Sequence, residues 1–257
     1  VEDGGATLRF VYDDEDYGTK GTDWFSVAEA EAINPTSEDV PWYGKRSKVT
    51  KVVFAESFAA YQPTSVASWL YNFTKLTAVE DVAYWDTSKT TTFYALFANC
   101  SGLTTLDLAG LSTASAKNVG SMFQGCTALT TIAATDSFAV PAAADSNNMF
   151  KNCTALVGGN GTPFDGDKTS GEYARIDKEG QPGYFTSPVA KVILSNDGKT
   201  LTFVYDLNVY PEADKNKRWF LVSDAEAEMW SVPPWHICTG TVTKVVFNPS
   251  FANCKPK

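Results

Sequence analysis

The chain has a single histidine, no long apolar run and more acid than base, and each of these shortages excludes a class of function. A Ser-His-Asp or Cys-His centre would have to use His236 as its base. The same segment occurs earlier in the chain with Tyr43 at that place, so the histidine is not part of a shared catalytic design. No apolar stretch approaches the roughly 18 residues that would carry a helix across a bilayer, so no membrane-spanning segment is expected. Thirty Asp and Glu against 21 Lys and Arg give a net charge of −9, the wrong sign for gripping phosphates, which excludes nucleic acid. The nearest basic cluster, Lys45-Arg46-Ser47-Lys48, has the composition of a solvated loop.

Cofactor and metal signatures are equally thin. Five cysteines in 257 residues are odd in number and too few for a disulfide framework. Gly158-Gly159-Asn160-Gly161 is not followed by the Lys-Ser/Thr of a phosphate cradle and reads as a turn. Asp13-Asp14-Glu15-Asp16 lacks the alternating ligands of a calcium loop and reads as a hairpin connection. Carboxylates are numerous, but no spacing singles out a pair for glycoside hydrolysis. The chain opens at Val1 with no secretory leader, as a processed or excised form would.

What the sequence does have is repetition. Leu96-Phe97-Ala98-Asn99-Cys100 is followed by Ser101-Gly102-Leu103-Thr104-Thr105-Leu106. Met122-Phe123-Gln124-Gly125-Cys126 leads in the same way to Leu129-Thr130-Thr131-Ile132, and Met149-Phe150-Lys151-Asn152-Cys153 to Leu156. A weaker copy runs from Trp69-Leu70-Tyr71-Asn72-Phe73 to Leu76. Cys126 follows Cys100 by 26 residues, Cys153 follows Cys126 by 27, and Phe73 precedes Cys100 by 27. A period in this range is that of leucine-rich repeats, each a strand plus a return segment that buries its apolar face only against its neighbours.

Leu106 and Leu108 alternate around Asp107 as a strand would, leaving Asp107 outward as a weak binding candidate. The return around Ser121-Met122-Phe123-Gln124 has good helix formers, and a short helical turn is expected with Ser121 as N-cap and Gly125 at its end. Cys100, Cys126 and Cys153 then form a column about one strand spacing apart. Phe73 fills the same slot, which no metal or redox role would allow, so the column reads as packing.

A longer repeat encloses the first. Thr7-Leu8-Arg9-Phe10-Val11-Tyr12-Asp13 returns as Thr200-Leu201-Thr202-Phe203-Val204-Tyr205-Asp206. Trp24-Phe25 returns as Trp219-Phe220, Trp42 as Trp235, and Val49-Thr50-Lys51-Val52-Val53-Phe54 as Val242-Thr243-Lys244-Val245-Val246-Phe247. The recurring tryptophans read as core anchors. Trp69 and Trp85, in the first short repeat, either seal a junction or line a groove.

These residues resemble the BspA-like family of bacterial surface proteins, whose repeats of about 26 residues combine an Asp-Thr-Ser turn, a Met-Phe pair, a Cys and a Leu-rich strand. The matching residues are Asp86-Thr87-Ser88, Met122-Phe123 with Cys126, and Leu129-Thr130-Thr131-Ile132. Glu172-Tyr173-Ala174-Arg175-Ile176-Asp177 and Pro182-Gly183-Tyr184-Phe185-Thr186 resemble the close of such modules. The third repeat departs, with Asp136-Ser137-Phe138-Ala139-Val140-Pro141 in place of the Asp-Thr-Ser turn. The resemblance implies export to the cell surface and adhesion, and it implies no ligand residues.

The sequence therefore predicts an α/β solenoid: a short leucine-rich-repeat-type array with one parallel strand ladder, flanked by small β-rich (α+β) caps. The expected divisions are a cap over 1–65, repeats over 66–160, a closing segment and linker over 161–188, and a truncated second cap over 189–257. The expected function is a non-enzymatic, extracellular or cell-surface adhesion protein without cofactor, meeting a protein or glycan. A structural spacer of a repetitive surface protein and a carbohydrate-active enzyme are the alternatives.

Overall fold

A computed structural model describes residues 3–12, 25–32, 40–195, 197–206, 219–221 and 242–247. The chain divides into two compact units, Val1–Ser187 and Pro188–Lys257. His236, Cys238, Cys254, Trp24, Trp235 and the Asp13–Asp16 run lie outside the described residues.

In the first unit, short runs of β-branched and aliphatic residues form strands that pair in parallel. β1 (Thr7–Phe10), β2 (Lys51–Phe54) and β3 (Ala78–Glu80) make one sheet, with Leu8 opposite Val52 and Val52 opposite Val79. β4 (Thr105–Asp107), β5 (Thr131–Ala133) and β6 (Phe185–Thr186) make another, with Leu106 opposite Ile132 and Ile132 opposite Phe185. Leu8, Val52, Leu106, Ile132 and Phe185 are buried. A one-residue slip would turn each of them outward, which fixes the register.

The opposite side of each repeat is not a helix. From Val66 to Phe73 alternate amides point to the next repeat: Ser68, Leu70 and Asn72 donate to the carbonyls of Tyr94, Leu96 and Ala98 at 2.9, 3.0 and 2.8 Å. The amides between them close turns, Tyr71 to Ser68 at 3.1 Å and Phe73 to Leu70 at 3.4 Å. The pattern recurs as Ala95, Phe97 and Asn99 donate to Gly120, Met122 and Gln124, and as Ser121, Phe123 and Gly125 donate to Asn147, Met149 and Lys151. The left-handed conformation recurs too, at Ser68 and Asn72, Ala95 and Asn99, Ser121 and Gly125, Asn148 and Asn152, with φ between 53° and 75°. A left-handed residue at every fourth position cannot sit in a right-handed helix. The result is a second set of hydrogen bonds between repeats, opposite the strands.

The expected α/β solenoid is thus corrected. Among the described residues the strands fall into three separate sheets of three, four and three strands, with no single ladder running through them. The one α-helix among the described residues, α1 (Val27–Ala32), lies outside the repeats, and Ser121 is a left-handed turn residue rather than an N-cap. β2 of the opening segment shares a sheet with β3 of the first repeat. β3 and β4 belong to different sheets. After β3 the chain turns left-handed at Asp81 (φ 60°) into a 3-10 helix, Val82–Tyr84. The repeats meet there through Gly110, where a Cβ would stand 2.8 Å from the Ala83 Cα, and through Gly102, where one would stand 2.7 Å from the Thr74 carbonyl oxygen.

The core is built in columns. Leu76, Leu103, Leu129 and Leu156 are fully buried, each contributing about 1.5–3 kcal/mol that no isolated repeat could realise. Phe97, Phe123 and Phe150 stack at 5.9 and 5.5 Å, and Tyr184 closes the stack edge-on to Phe150 at 5.1 Å. In the second unit, β8 (Thr200–Asp206) pairs in parallel with β10 (Lys244–Phe247), Thr200 opposite Lys244, just as Thr7 stands opposite Lys51. β7 (Val189–Leu194) runs antiparallel to both β8 and β9 (Trp219–Leu221).

Candidate interaction surface

The recurring polar side chains hold the repeats together. Cys100, Cys126 and Cys153 are each 0% exposed, and each thiol donates to a backbone carbonyl of the preceding repeat, Leu70, Phe97 and Phe123, at 3.1, 3.0 and 3.0 Å. Phe73, also 0% exposed, occupies their slot in the first repeat. Burial pushes the Cys126 thiol up to about 12 and those of Cys100 and Cys153 upward as well. Such thiols are not nucleophiles at neutral pH.

Threonines play the same part. Buried Thr87 donates to the Ser112 carbonyl at 2.8 Å and accepts the Ser112 amide at 2.9 Å, and buried Thr113 donates to the Ala139 carbonyl at 3.0 Å. Thr90 reaches the Pro63 carbonyl at 2.6 Å. On the strand side, Thr77 and Thr130 donate to the carbonyls of Thr50 and Thr104 at 3.1 and 3.0 Å.

Two carboxylates complete the frame. Asp177, nearly buried, accepts the amides of Asn160, Thr162 and Gly183 and the Thr162 hydroxyl at 2.7 to 3.2 Å, tying the Gly158–Thr162 turn to the closing segment. Burial works to raise its pKa, but these hydrogen bonds outweigh it and hold the carboxyl below the ordinary range. Glu31 on α1 accepts the Tyr61 hydroxyl, the Thr64 amide at 2.9 Å and the Thr64 hydroxyl at 2.7 Å, fastening α1 to the segment that leads into the first repeat. Burial first, and Glu31 second, push the Tyr61 phenol upward.

The residues singled out from sequence take these places. Trp69 and Trp85 are 0% and 1% exposed and stack on each other at 5.8 Å. Trp85 also stacks on Phe54 at 4.3 Å, Trp69 on Phe10 at 5.3 Å, and the Trp42 indole N–H donates to the Trp69 carbonyl at 2.6 Å. Their faces meet other rings, not solvent. Asp107 is half-buried at the end of β4, where its carboxylate accepts the Ala109 amide at 2.9 Å.

An aromatic strip that the tryptophan-centred reading overlooked lies on the turn side. Half-buried Tyr43 and Tyr71 stack at 6.4 Å, and the Arg46 guanidinium lies 3.8 Å above the Tyr43 ring while donating to the Tyr43 carbonyl at 3.0 Å. The Asn99 amide reaches the Tyr71 hydroxyl at 3.5 Å. Tyr94 is 40% exposed, beside Gly120, where a Cβ would come 3.6 Å from its ring. A sequence signal for the strip existed: the place before each left-handed Asn or Gly is occupied by Tyr71, Ala98, Gln124 and Lys151 in turn, while its neighbours hardly change.

The fold of the first unit is one of repeats joined to each other by hydrogen bonds, with the recurring thiols and threonines serving that frame. Residues 47–160 match the family model described as "Mycoplasma protein of unknown function, DUF285", over less than half of the 257 residues. No curated protein and no solved structure matches the chain. No helix of the described residues is long and apolar enough to cross a membrane.

Proposed function

We propose that the chain is a non-enzymatic interaction module of a BspA-like surface or secreted protein, meeting a protein or glycan through its turn side. The Tyr43–Arg46–Tyr71 strip carries the reading. Two stacked rings, Tyr43 and Tyr71, with a guanidinium over Tyr43, offer flat apolar area and a cation at little further cost in side-chain order, as suits stacking on sugars or on peptide side chains. The match to a repeat family over 47–160 supports a repeat-borne role, and adhesion at a bacterial surface follows from the resemblance in the repeat motif.

The test is an array of glycans and matrix proteins probed with the full chain and with Tyr71→Ala and Arg46→Ala. Binding that falls at least about tenfold, or about 1.4 kcal/mol, in both variants is the expected result. Binding unchanged in both variants would overturn the site. A silent array would favour the spacer reading, which the shared strand register of the two units also supports. Hydrolysis of any polysaccharide, abolished by one carboxylate substitution, would overturn the non-enzymatic reading.

A further inference from the structure

The segment that carries Tyr43 and Arg46 occurs twice, and its two copies differ between identical flanks. Pro41-Trp42 returns as Pro234-Trp235, and Val49-Thr50-Lys51 as Val242-Thr243-Lys244. Between them, Tyr43-Gly44-Lys45-Arg46-Ser47-Lys48 gives way to His236-Ile237-Cys238-Thr239-Gly240-Thr241, and Lys45, Arg46 and Lys48 have no cationic counterpart. Packing accounts for the flanks: Trp42 and Val49 are buried, and the Trp42 indole N–H donates to the Trp69 carbonyl. It does not account for the cations, which the second copy does without. They also run against the balance of the chain, which has 30 acidic and 21 basic residues but no acid between Asp39 and Glu56. Lys51 pairs with Glu80 at 3.5 Å, whereas Arg46 and Lys48 form no ion pair among the described residues. The Arg46 guanidinium is held over the Tyr43 ring and donates from Nη1 to the Tyr43 carbonyl. A guanidinium fixed in this way keeps the rest of its N–H fork for an anionic acceptor.

We propose that the ligand of the tyrosine strip is an acidic glycan, with a sugar ring laid on the Tyr43–Tyr71 pair and its carboxylate or sulfate group taken by Arg46. The inference rests on the strip being the contact site and adds the charge of what it contacts. Tyr43 and Tyr71 stack at 6.4 Å and the guanidinium stands 3.8 Å from the Tyr43 centroid, so flat apolar area and cation lie side by side. An acidic sugar carries both complements on one rigid ring, a C–H face for the tyrosines and an anionic group for the guanidinium. A neutral sugar would use the rings and leave the cation idle. An acidic peptide carries its anion on a flexible side chain with no flat face beside it, and loses more side-chain freedom on docking. Exposed Lys48 adds attraction for a polyanion approaching the strip.

The test titrates the full chain, by fluorescence polarisation, with labelled oligogalacturonate, a sulfated galactan oligosaccharide, the carboxyl-reduced and desulfated forms of the two, and an oligoglutamate peptide. Saturable binding of at least one acidic sugar is expected, with its neutral form at least about tenfold weaker, the loss of one hydrogen-bonded charge pair. Which of the two acidic sugars binds tells carboxylate from sulfate recognition. The double variant Arg46→Thr, Lys48→Thr carries the residues of the second copy, so it should melt with the unsubstituted chain and bind the acidic sugar at least about tenfold more weakly. If that variant fails to fold, the acidic and neutral forms compared on the unsubstituted chain decide alone. Equal binding of acidic and neutral forms, or acidic binding unchanged in a folded double variant, would overturn the inference and leave the strip as a contact site. Acidic binding that survives Tyr71→Ala would overturn both. Absence of binding by either acidic sugar, or tighter binding of oligoglutamate than of both, would overturn the inference equally.

Discussion

The pentapeptide Thr-Lys-Val-Val-Phe occurs twice, at 50–54 and 243–247, and the two copies share a register on their parallel partner strands but not an environment. Val52 and Phe54 in β2 are 0% exposed, whereas Val245 and Phe247 in β10 are 53% and 64% exposed. In the first unit β3 lies on the far edge of β2, and Trp85 covers Phe54 at 4.3 Å. In the second, Phe247 stacks on Phe203 at 4.8 Å and keeps most of its surface in water. Identical residues are core or surface according to whether a repeat is stacked on them. Stability in this chain therefore resides in the contacts between repeats.

The sharpest way to break that contrast is to charge the column inside the stack. Cys126→Asp places an unpaired carboxylate at a fully buried position, at a cost of several kcal/mol against a total of about 5–15 kcal/mol. Loss of the cooperative melt of the repeats is expected, and an unchanged melting temperature would show that the column does not hold them. Next, Phe54→Ala should destabilise by about 3–5 kcal/mol in chemical denaturation, whereas Phe247→Ala, most of whose ring is in water, should cost under about 1 kcal/mol. Equal losses would erase the difference between the copies. Asp177→Asn should cost about 2 kcal/mol by weakening hydrogen bonds to a charged acceptor.

Acid sharpens the last of these. The Asp177 carboxyl is depressed in the fold, so its contribution is present above the unfolded value of about 3.9 and is lost as pH falls through the lower folded value. The wild-type chain should lose its advantage over Asp177→Asn in melts taken below about pH 4. The smallest effect is alkaline. The Cys126 thiol is raised to about 12, so its contribution is full below the unfolded value of about 8.5 and declines between there and the folded value. Cys126→Ala should flatten that part of the melting curve against pH.

The spacing of the repeats was legible because inward side chains face the same neighbour in every repeat. That constraint kept Leu76, Leu103, Leu129 and Leu156 aliphatic and placed Phe73 in line with the cysteines. The return segment was misread because propensity favours a helix for Met122-Phe123-Gln124, while the backbone is decided by inter-repeat hydrogen bonds at Ser121, Phe123 and Gly125. A clue stood in the sequence: Asn72, Asn99, Gly125 and Asn152 are residues that tolerate positive φ, one per repeat. The division into separate sheets left no such trace, since β3 and β4 each read as ordinary strands and the left-handed Asp81 is one carboxylate among many. The tyrosine strip was hidden for a different reason. Tyr71 occupies the place that varies between repeats, and a search for repetition passes over what does not repeat.

Amide hydrogen exchange of the full chain, read residue by residue, tests most directly whether repeats lock to one another on their turn side as well as their strand side. Stacking of this kind predicts that Leu70, Phe97 and Phe123 on the turn side exchange through the same cooperative opening as Leu106 and Ile132 on the strand side. Turn-side amides that exchange freely while the strands stay protected would contradict it.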